Sequence, residues 1–354
     1  MRYSLVCNNC NKKYNSNYDS QICKSCKGIL EVIYDRPMHF PNKFKGFWDF
    51  EKNMPDSDYL HYELGNTKIM DYYGNFLKLE FYNPTKSFKD RGSVIEIAKA
   101  NEYKYDEIVC ASTGNMAYSL AYYAKLAGIK VRVFISKNAN KDKIRYIKDV
   151  HDATITKIDG DFTLAQSEAL KYSDKNNAFL TGDYCYRKEG QKSIAYELAY
   201  QINKIDCIVA PIGNATLFSA LYKAFIELKK AGMIKNMPKM IGVEAEQCAP
   251  IARSLNKKRL MYIKPNTDAD AIAVGMPTYG IDAIHAIKKT NGDIITVSES
   301  EIYREQKLFY EKYGLIVELG GIASLAGYNK IDKKSPNTVI LLTGGNIWYL
   351  WIYL

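Results

Sequence analysis

The sequence predicts an α/β protein built on parallel sheets, on three observations. Short apolar runs recur that read as buried strands: Glu107-Ile108-Val109-Cys110-Ala111, Asp206 to Ile212 and Thr338-Val339-Ile340-Leu341-Leu342. Each ends in a small polar turn, respectively Ser112-Thr113-Gly114-Asn115, Gly213-Asn214-Ala215-Thr216 and Thr343-Gly344-Gly345-Asn346. Helical spacing then follows, clearest in Leu217, Ala220, Leu221, Ala224, Phe225 and Leu228 up to Gly232. Strand, turn and helix repeated in this order is the pattern of parallel α/β sheets. At 354 residues, 47% of them hydrophobic, the chain can fill two packed domains and a small module.

The N-terminal module is marked by Cys7-x-x-Cys10 and Cys23-x-x-Cys26. Two such knuckles can place four thiolates around one tetrahedral Zn²⁺, and Asn8-Asn9, Asn11 and Lys27-Gly28 supply the turns they need. Two disulfides are the alternative, disfavoured in a reducing compartment. The opening Met1 to Cys7 has no apolar core of signal-peptide length, so a cytosolic protein is expected. Cys110 and Cys207 fall in strand-like runs and read as inert core residues.

From Asp56 to Glu80 short strands and turns are expected, with Leu64-Gly65-Asn66-Thr67 as one turn and Tyr73-Gly74-Asn75 as a hairpin. Next comes the most distinctive stretch, Asn83-Pro84-Thr85-Lys86-Ser87-Phe88-Lys89-Asp90-Arg91-Gly92, at the start of an Ala-containing helix. A lysine partly withdrawn from water and close to another cation loses part of its usual pKa of ~10.4 and becomes able to condense with an aldehyde. Lys89 is placed for that chemistry; the bland alternative is a solvated helix-start lysine. The helix after Asn115 is expected to stop at Gly128, with Lys130 to Ile135 and Met240 to Glu244 as further strands.

The formal charge of +10 comes mainly from dispersed lysines, densest from Lys137 to Lys148. That distribution suits attraction of small anions, not a nucleic-acid stripe. There is no run of about 20 apolar residues to span a bilayer, and the Ile347 to Leu354 stretch is expected to be a last strand or a docking tail.

In open α/β sheets ligands collect at the carboxyl ends of strands, and Gly213 to Thr216 at a helix start offers N–H groups and a dipole that suit a phosphate. Ser112 to Asn115 has the same pattern. With Leu64 to Thr67, Asn83 to Gly92, Glu189-Gly190-Gln191-Lys192-Ser193, Gly242-Val243-Glu244-Ala245 and Leu342-Thr343-Gly344, these pieces run in order along nearly the whole chain. The sequence thereby resembles the pyridoxal-phosphate enzymes of the tryptophan-synthase β-like fold (fold type II), and within them the threonine synthases.

The resemblance implies two open parallel-sheet domains and an N-terminal zinc ribbon. The expected boundaries are a zinc-ribbon module over 1–36, a larger cofactor domain from 37–85 and 186–354, and a smaller α/β domain over 86–185. It implies that Lys89 carries pyridoxal phosphate covalently and is the catalytic base. Asn115 would bond the ring's phenolic oxygen, Gly213, Asn214, Ala215 and Thr216 would cradle the phosphate, and Thr343 would meet the pyridine nitrogen. A threonine hydroxyl there, unlike a carboxylate, favours elimination and replacement over transamination. Lys86, Ser112, Thr113, Arg187 and Lys192 would face an anionic amino-acid substrate; for the cations, the alternative is pairing with acidic residues such as Asp183, Glu189 or Asp90. A homodimer is expected.

The chain departs from the threonine-synthase pattern at Lys86, where a glycine is usual, and at Thr181 to Arg187, which replaces an Asn-Ser-rich segment. The Gly213 loop is less glycine-rich than usual, and Glu318-Leu319-Gly320-Gly321 replaces Glu-Pro-Ala-Ser. The expected activity is conversion of O-phosphohomoserine to threonine and phosphate. The alternatives are a β-replacement enzyme such as a cysteate synthase or diaminopropionate-forming synthase, and a non-catalytic zinc-ribbon binding protein, against which the retained Lys89 argues.

Overall fold

The computed structural model describes residues 3–112, 114–137, 144, 147–148, 152–160 and 162–345. Thr113, Asn346, the Ile347 to Leu354 stretch and most of the lysine-rich segment from 138 to 151 lie outside the described residues. In chain order the strands are β1 (Tyr3–Cys7), β2 (Lys13–Asn15), β3 (Leu30–Tyr34), β4 (Ile69–Tyr72), β5 (Asn75–Leu79), β6 (Glu107–Ala111), β7 (Lys130–Ser136), β8 (Thr154–Ile158), β9 (Phe179–Leu180), β10 (Cys207–Pro211), β11 (Lys239–Ala245), β12 (Asp293–Val297) and β13 (Thr338–Leu342). The α-helices are α1 (Lys89–Glu102), α2 (Asn115–Ala127), α3 (Phe162–Asn176), α4 (Cys185–Gln191), α5 (Ser193–Gln201), α6 (Thr216–Lys230), α7 (Pro250–Ser254), α8 (Gly280–Lys289), α9 (Glu299–Tyr313) and α10 (Leu319–Asn329). The chain divides into two compact units: Met1–His39, Trp48–Glu63 and Lys89–Gln191 form the first, and Phe40–Phe47, Leu64–Phe88 and Lys192–Leu354 the second.

The first unit holds the cysteine ribbon, an antiparallel sheet in the order β2-β1-β3, and a four-stranded parallel sheet in the order β8-β7-β6-β9. The ribbon is packed on the parallel sheet: Ile22 shares a core with Val109, Ala111, Phe134 and Leu180, and Gln21 donates to Leu180 O at 2.8 Å and accepts from Tyr186 N at 3.0 Å. Helices α1 and α4 cross almost backbone to backbone because a glycine stands on each. A Cβ on Gly190 would collide with the Arg91 carbonyl, and one on Gly92 would lie 2.9 Å from Arg187 O. Gly128 ends α2 in the left-handed conformation, the usual glycine stop.

The second unit is a six-stranded sheet, order β12-β11-β10-β13-β5-β4, parallel except for the edge hairpin β4–β5. That hairpin turns at Tyr73 (φ 52°) and Gly74 (φ 76°), the mirror-image turn that strand twist favours. The core runs through Leu77, Val209, Val243, Ile322, Ile340 and Leu342. The Leu64 to Thr67 turn is held by side chains: Gly65 N–H donates to Asn83 Oδ1 at 3.0 Å, Asn66 N–H to Glu197 Oε1 at 2.8 Å, and the Thr67 hydroxyl to Glu80 at 2.7 Å. Asn83, which opens the lysine stretch, is therefore fixed before the reactive segment begins.

Candidate active site

In the first unit the candidate residues sit where parallel strands end. β6 and β9 are paired neighbours, so Ser112 after β6 and the Thr181-Gly182-Asp183 segment after β9 emerge at the same edge of the sheet. Ser112 and Asn115 are both buried, with Asn115 at the first turn of α2 and Ser112 Oγ accepting from Gly114 N–H at 3.3 Å. Lys89 is the first residue of α1, and its Nζ lies 3.8 Å from Asp183 Oδ1. Its side chain is 19% exposed and that of Asp183 only 6%. An amine so placed is largely withdrawn from water, as the sequence suggested, and the charged group 3.8 Å from it is the Asp183 carboxylate.

Arg187 is fully buried on α4, and its guanidinium is shared among four partners. It donates to Gly182 O at 2.9 Å, Lys89 O at 3.1 Å and Ser93 Oγ at 3.2 Å, and forms an ion pair with the buried Glu96 of α1. Glu96 in turn accepts the Gly182 N–H at 2.7 Å. Burial pushes the Glu96 carboxyl up to about 7, against the pull of the Arg187 guanidinium and of the Gly182 N–H. This pair ties the backbone of Lys89 to the segment that carries Asp183. Asp90 accepts from Ser119 at 2.7 Å, and Glu189 accepts from Tyr34 at 2.6 Å.

The second unit presents the other candidates on neighbouring strands. β10 and β13 are paired, so the Gly213 loop and Thr343, which is buried, also leave one edge of a parallel sheet. Gly213 is required sterically: a Cβ there would be 2.8 Å from Ala271 O and 3.2 Å from Ile272 Cα. Asn214 anchors the loop, its Oδ1 accepting from the backbone N–H and hydroxyl of Thr278 at 3.2 Å and its carbonyl from Tyr279 N–H at 3.0 Å. Ala215 caps α6 with φ 62°, and Thr216 begins that 15-residue helix. The backbone thus opens a helix N-terminus at a tight, small-residue loop, a geometry that suits a phosphate.

The lysine stretch is strapped to this same unit. Phe88 N–H donates to Thr343 O at 3.0 Å, Gly345 N–H donates to Lys86 O at 2.9 Å, and Ser87 bridges Gly344. Thus the residue before Lys89 is held directly by Thr343. Lys86 is exposed and has φ 61°, which gives the physical reason a glycine is expected there; Ala215 stands in the same left-handed region. Non-glycine residues so placed cost roughly 1–2 kcal/mol each and mark loops whose shape matters more than local comfort. Lys192 is buried, with Nζ 3.0 Å from a Glu227 carboxylate oxygen. Asp183, which the sequence offers as a possible partner of the substrate-side cations, is found beside Lys89, while Glu96 is not foreseen; the pairing of β6 with β9 and the crossing of α1 over α4 bring them to Lys89 and Arg187.

The cysteine ribbon is a separate centre. Sγ atoms of Cys7 and Cys26 are 3.4 Å apart, those of Cys10 and Cys23 3.6 Å, and all four lie within 4.8 Å of one another. A tetrahedron with ~2.3 Å Zn–S bonds has sulfur–sulfur edges of about 3.8 Å, so the set has the right size. The Asn9 and Cys10 N–H groups approach Cys7 Sγ at 3.4 and 3.5 Å, and the Tyr14 hydroxyl lies 3.1 Å from Cys23 Sγ.

Comparison with known proteins gives the family. Residues 64–344 match the family described as pyridoxal-phosphate dependent enzyme. The chain is 31% identical to a threonine synthase of Methanosarcina acetivorans over 98% of its own length and 92% of that protein, and 31% identical to one of Methanocaldococcus jannaschii over 96% and 91%. A Bacillus threonine synthase is 36% identical over 76% of this chain and 77% of its own. In fold the chain is similar to maize serine racemase, with a TM-score of 0.70 and 24% identity over 81% of this chain and 91% of that one. Among the described residues no helix is long and apolar enough to cross a membrane. From its matched span and these relatives, the chain belongs to the pyridoxal-phosphate dependent enzymes of fold type II, in their threonine-synthase-like branch.

Proposed function

We propose that this protein is a threonine synthase, turning O-phosphohomoserine into threonine and inorganic phosphate. The observation that carries the reading is the near-full-length match to two threonine synthases. The residues present fit the cofactor: an amine at the head of α1, a glycine loop that no Cβ could enter, and a hydroxyl rather than a carboxylate at Thr343. In this reading Lys89 carries the cofactor, Asn115 and Thr343 orient its ring, and Gly213, Asn214, Ala215 and Thr216 take its phosphate. Pyridoxal phosphate supplies an aldehyde for amines and an electron sink for the substrate's α-carbon. Lys89, once released, moves the protons at the substrate carbons, and the turn from Ser112 to Asn115, with Thr113, contacts the substrate's polar groups. Lys86, which is exposed, is the cation that meets an anionic group of the substrate in this reading. The test incubates the purified, cofactor-loaded protein with O-phosphohomoserine and follows threonine and phosphate together. Equal formation of both supports the reading; phosphate without threonine, or neither, removes it.

One observation favours a second reading, a β-replacement enzyme of the cysteate-synthase or diaminopropionate-forming kind. Arg187 and Lys192 are paired with Glu96 and Glu227, and Asp183 stands beside Lys89, so two of the three cations expected around a phosphate leaving group are otherwise engaged. Parallel incubation with O-phosphoserine and a nucleophile distinguishes the two by product.

The four cysteines hold a structural Zn²⁺ in this proposal, because four thiolates leave no open coordination position for chemistry. Metal analysis is expected to find about one zinc per chain. Chelation should lower the melting temperature by several degrees and expose the ribbon to protease. Because Gln21 bonds Leu180 and Tyr186, either side of Asp183, turnover should fall with it. A metal content well below one, or unchanged stability after chelation, would count against a structural zinc. A cytoplasmic, reducing setting and a homodimer complete the proposal; sedimentation reads out the latter.

A further inference from the structure

We propose that Asp183 is a positioning residue for Lys89, the fixed counter-charge against which its amine is held whenever that amine is not covalently engaged. The proposal rests on the reading of Lys89 as the cofactor-carrying lysine. Three observations carry it. The carboxylate is 3.8 Å from Nζ and only 6% exposed, so solvent screens the pair little. Its backbone is built to stay there: Gly182, at φ 139° in a region that favours glycine, donates its N–H to Glu96 and gives its carbonyl to Arg187. The same Arg187 bonds Lys89 O, so one buried ion pair fixes both the backbone that carries the amine and the backbone that carries the carboxylate. Finally, a buried carboxylate is costly unless it faces a charge, and the Lys89 ammonium is a charge that it faces here.

The consequence is chemical. When Lys89 acts as base, a proton moves from a substrate carbon to Nζ, and the electron pair of the broken C–H bond stays with the substrate and its cofactor. Nζ becomes an ammonium, and Asp183 stabilises that charged form. Asp183 also keeps the long lysine side chain from wandering once it is freed, which matters because Lys89 must return to the cofactor at the end of each cycle.

The test compares wild type with Asp183→Asn and Asp183→Glu in the full-length chain. First, protein stripped of cofactor is treated at one pH with an amine-reactive reagent, and labelling of the Lys89 peptide is followed by mass spectrometry. Removing the carboxylate leaves more of the amine neutral, so Asp183→Asn should label about three- to tenfold faster, while Asp183→Glu stays near wild type. Second, in the loaded enzyme Asp183→Asn should lower kcat by about ten- to a hundredfold with KM little changed, and Asp183→Glu should recover part of it. Labelling within twofold of wild type in a folded Asp183→Asn protein overturns the proposal. If asparagine is not tolerated, Asp183→Ser, also neutral and smaller, must shift labelling the same way. A protein that takes up no cofactor would sink the reading of Lys89 itself. A labelling shift in a cofactor-binding protein that makes no threonine would leave Asp183's role standing and the substrate assignment wrong.

Discussion

Lys89→Ala is expected to abolish measurable turnover, a loss of at least about 10³-fold, while leaving a folded protein. The side chain does two jobs in the proposed function, covalent attachment of the cofactor and proton transfer at the substrate carbons, and the next lysine along α1 is Lys99. Folding should survive because the backbone of Lys89 is held independently, through the bond of its carbonyl to Arg187 and of Phe88 N–H to Thr343. Removing the amine takes one ion-pair partner from the buried Asp183, so a stability loss of about 1–3 kcal/mol is expected. The variant can still retain pyridoxal phosphate through the Gly213 loop, but without the absorption of the covalently held form. Absorption spectroscopy, thermal melting and a product assay on one preparation separate these effects. An unaltered rate in Lys89→Ala would sink the mechanism outright.

How far this arrangement could be read in advance depended on whether the signal was local. β6 and β13 have the bounds that their apolar runs predict, because a strand buried on both faces reads as a continuous hydrophobic stretch. α1 and α2 begin at Lys89 and Asn115 as their turns suggest. By contrast β8 and β12, both at sheet edges, carry mixed polar residues such as Thr154-Ile155-Thr156-Lys157-Ile158. β9 has only two residues. None of the three has a pattern strong enough to stand out, although β9 is the strand that delivers Asp183. The motif residues themselves were visible, and Asp183 was among the acidic partners the sequence offers, but which cation each acid would meet was not. Lys192 meets Glu227 and Lys89 meets Asp183 across long stretches of chain, through contacts that only tertiary packing creates. The left-handed backbone at Lys86 and Ala215 is announced by neither lysine nor alanine; only the glycines usual in these loops of the family hinted at it.

Arg187→Ala is expected to cost about 3–5 kcal/mol of folding stability, since it leaves the Glu96 carboxylate buried and uncompensated. The two carbonyls and the Ser93 hydroxyl that the guanidinium serves lose a donor in the same step. A purely substrate-binding arginine would behave differently, raising KM and leaving the melting curve in place. Denaturant unfolding of cofactor-free protein decides between them, and the cofactor must be absent because a bound ligand would mask part of the loss. Arg187→Lys should rescue little, because a single ammonium cannot reach Gly182 O, Lys89 O and Glu96 together as the planar fork does. The double variant Glu96→Gln with Arg187→Met should be more stable than Arg187→Ala alone, since it removes both buried charges instead of one. Its catalytic rate should nevertheless stay low: with the pair gone, nothing in the described contacts ties Lys89 O to Gly182 O, and the amine and the Asp183 carboxylate lose their common anchor. A loss below about 1 kcal/mol in Arg187→Ala, together with a raised KM, would return Arg187 to the substrate.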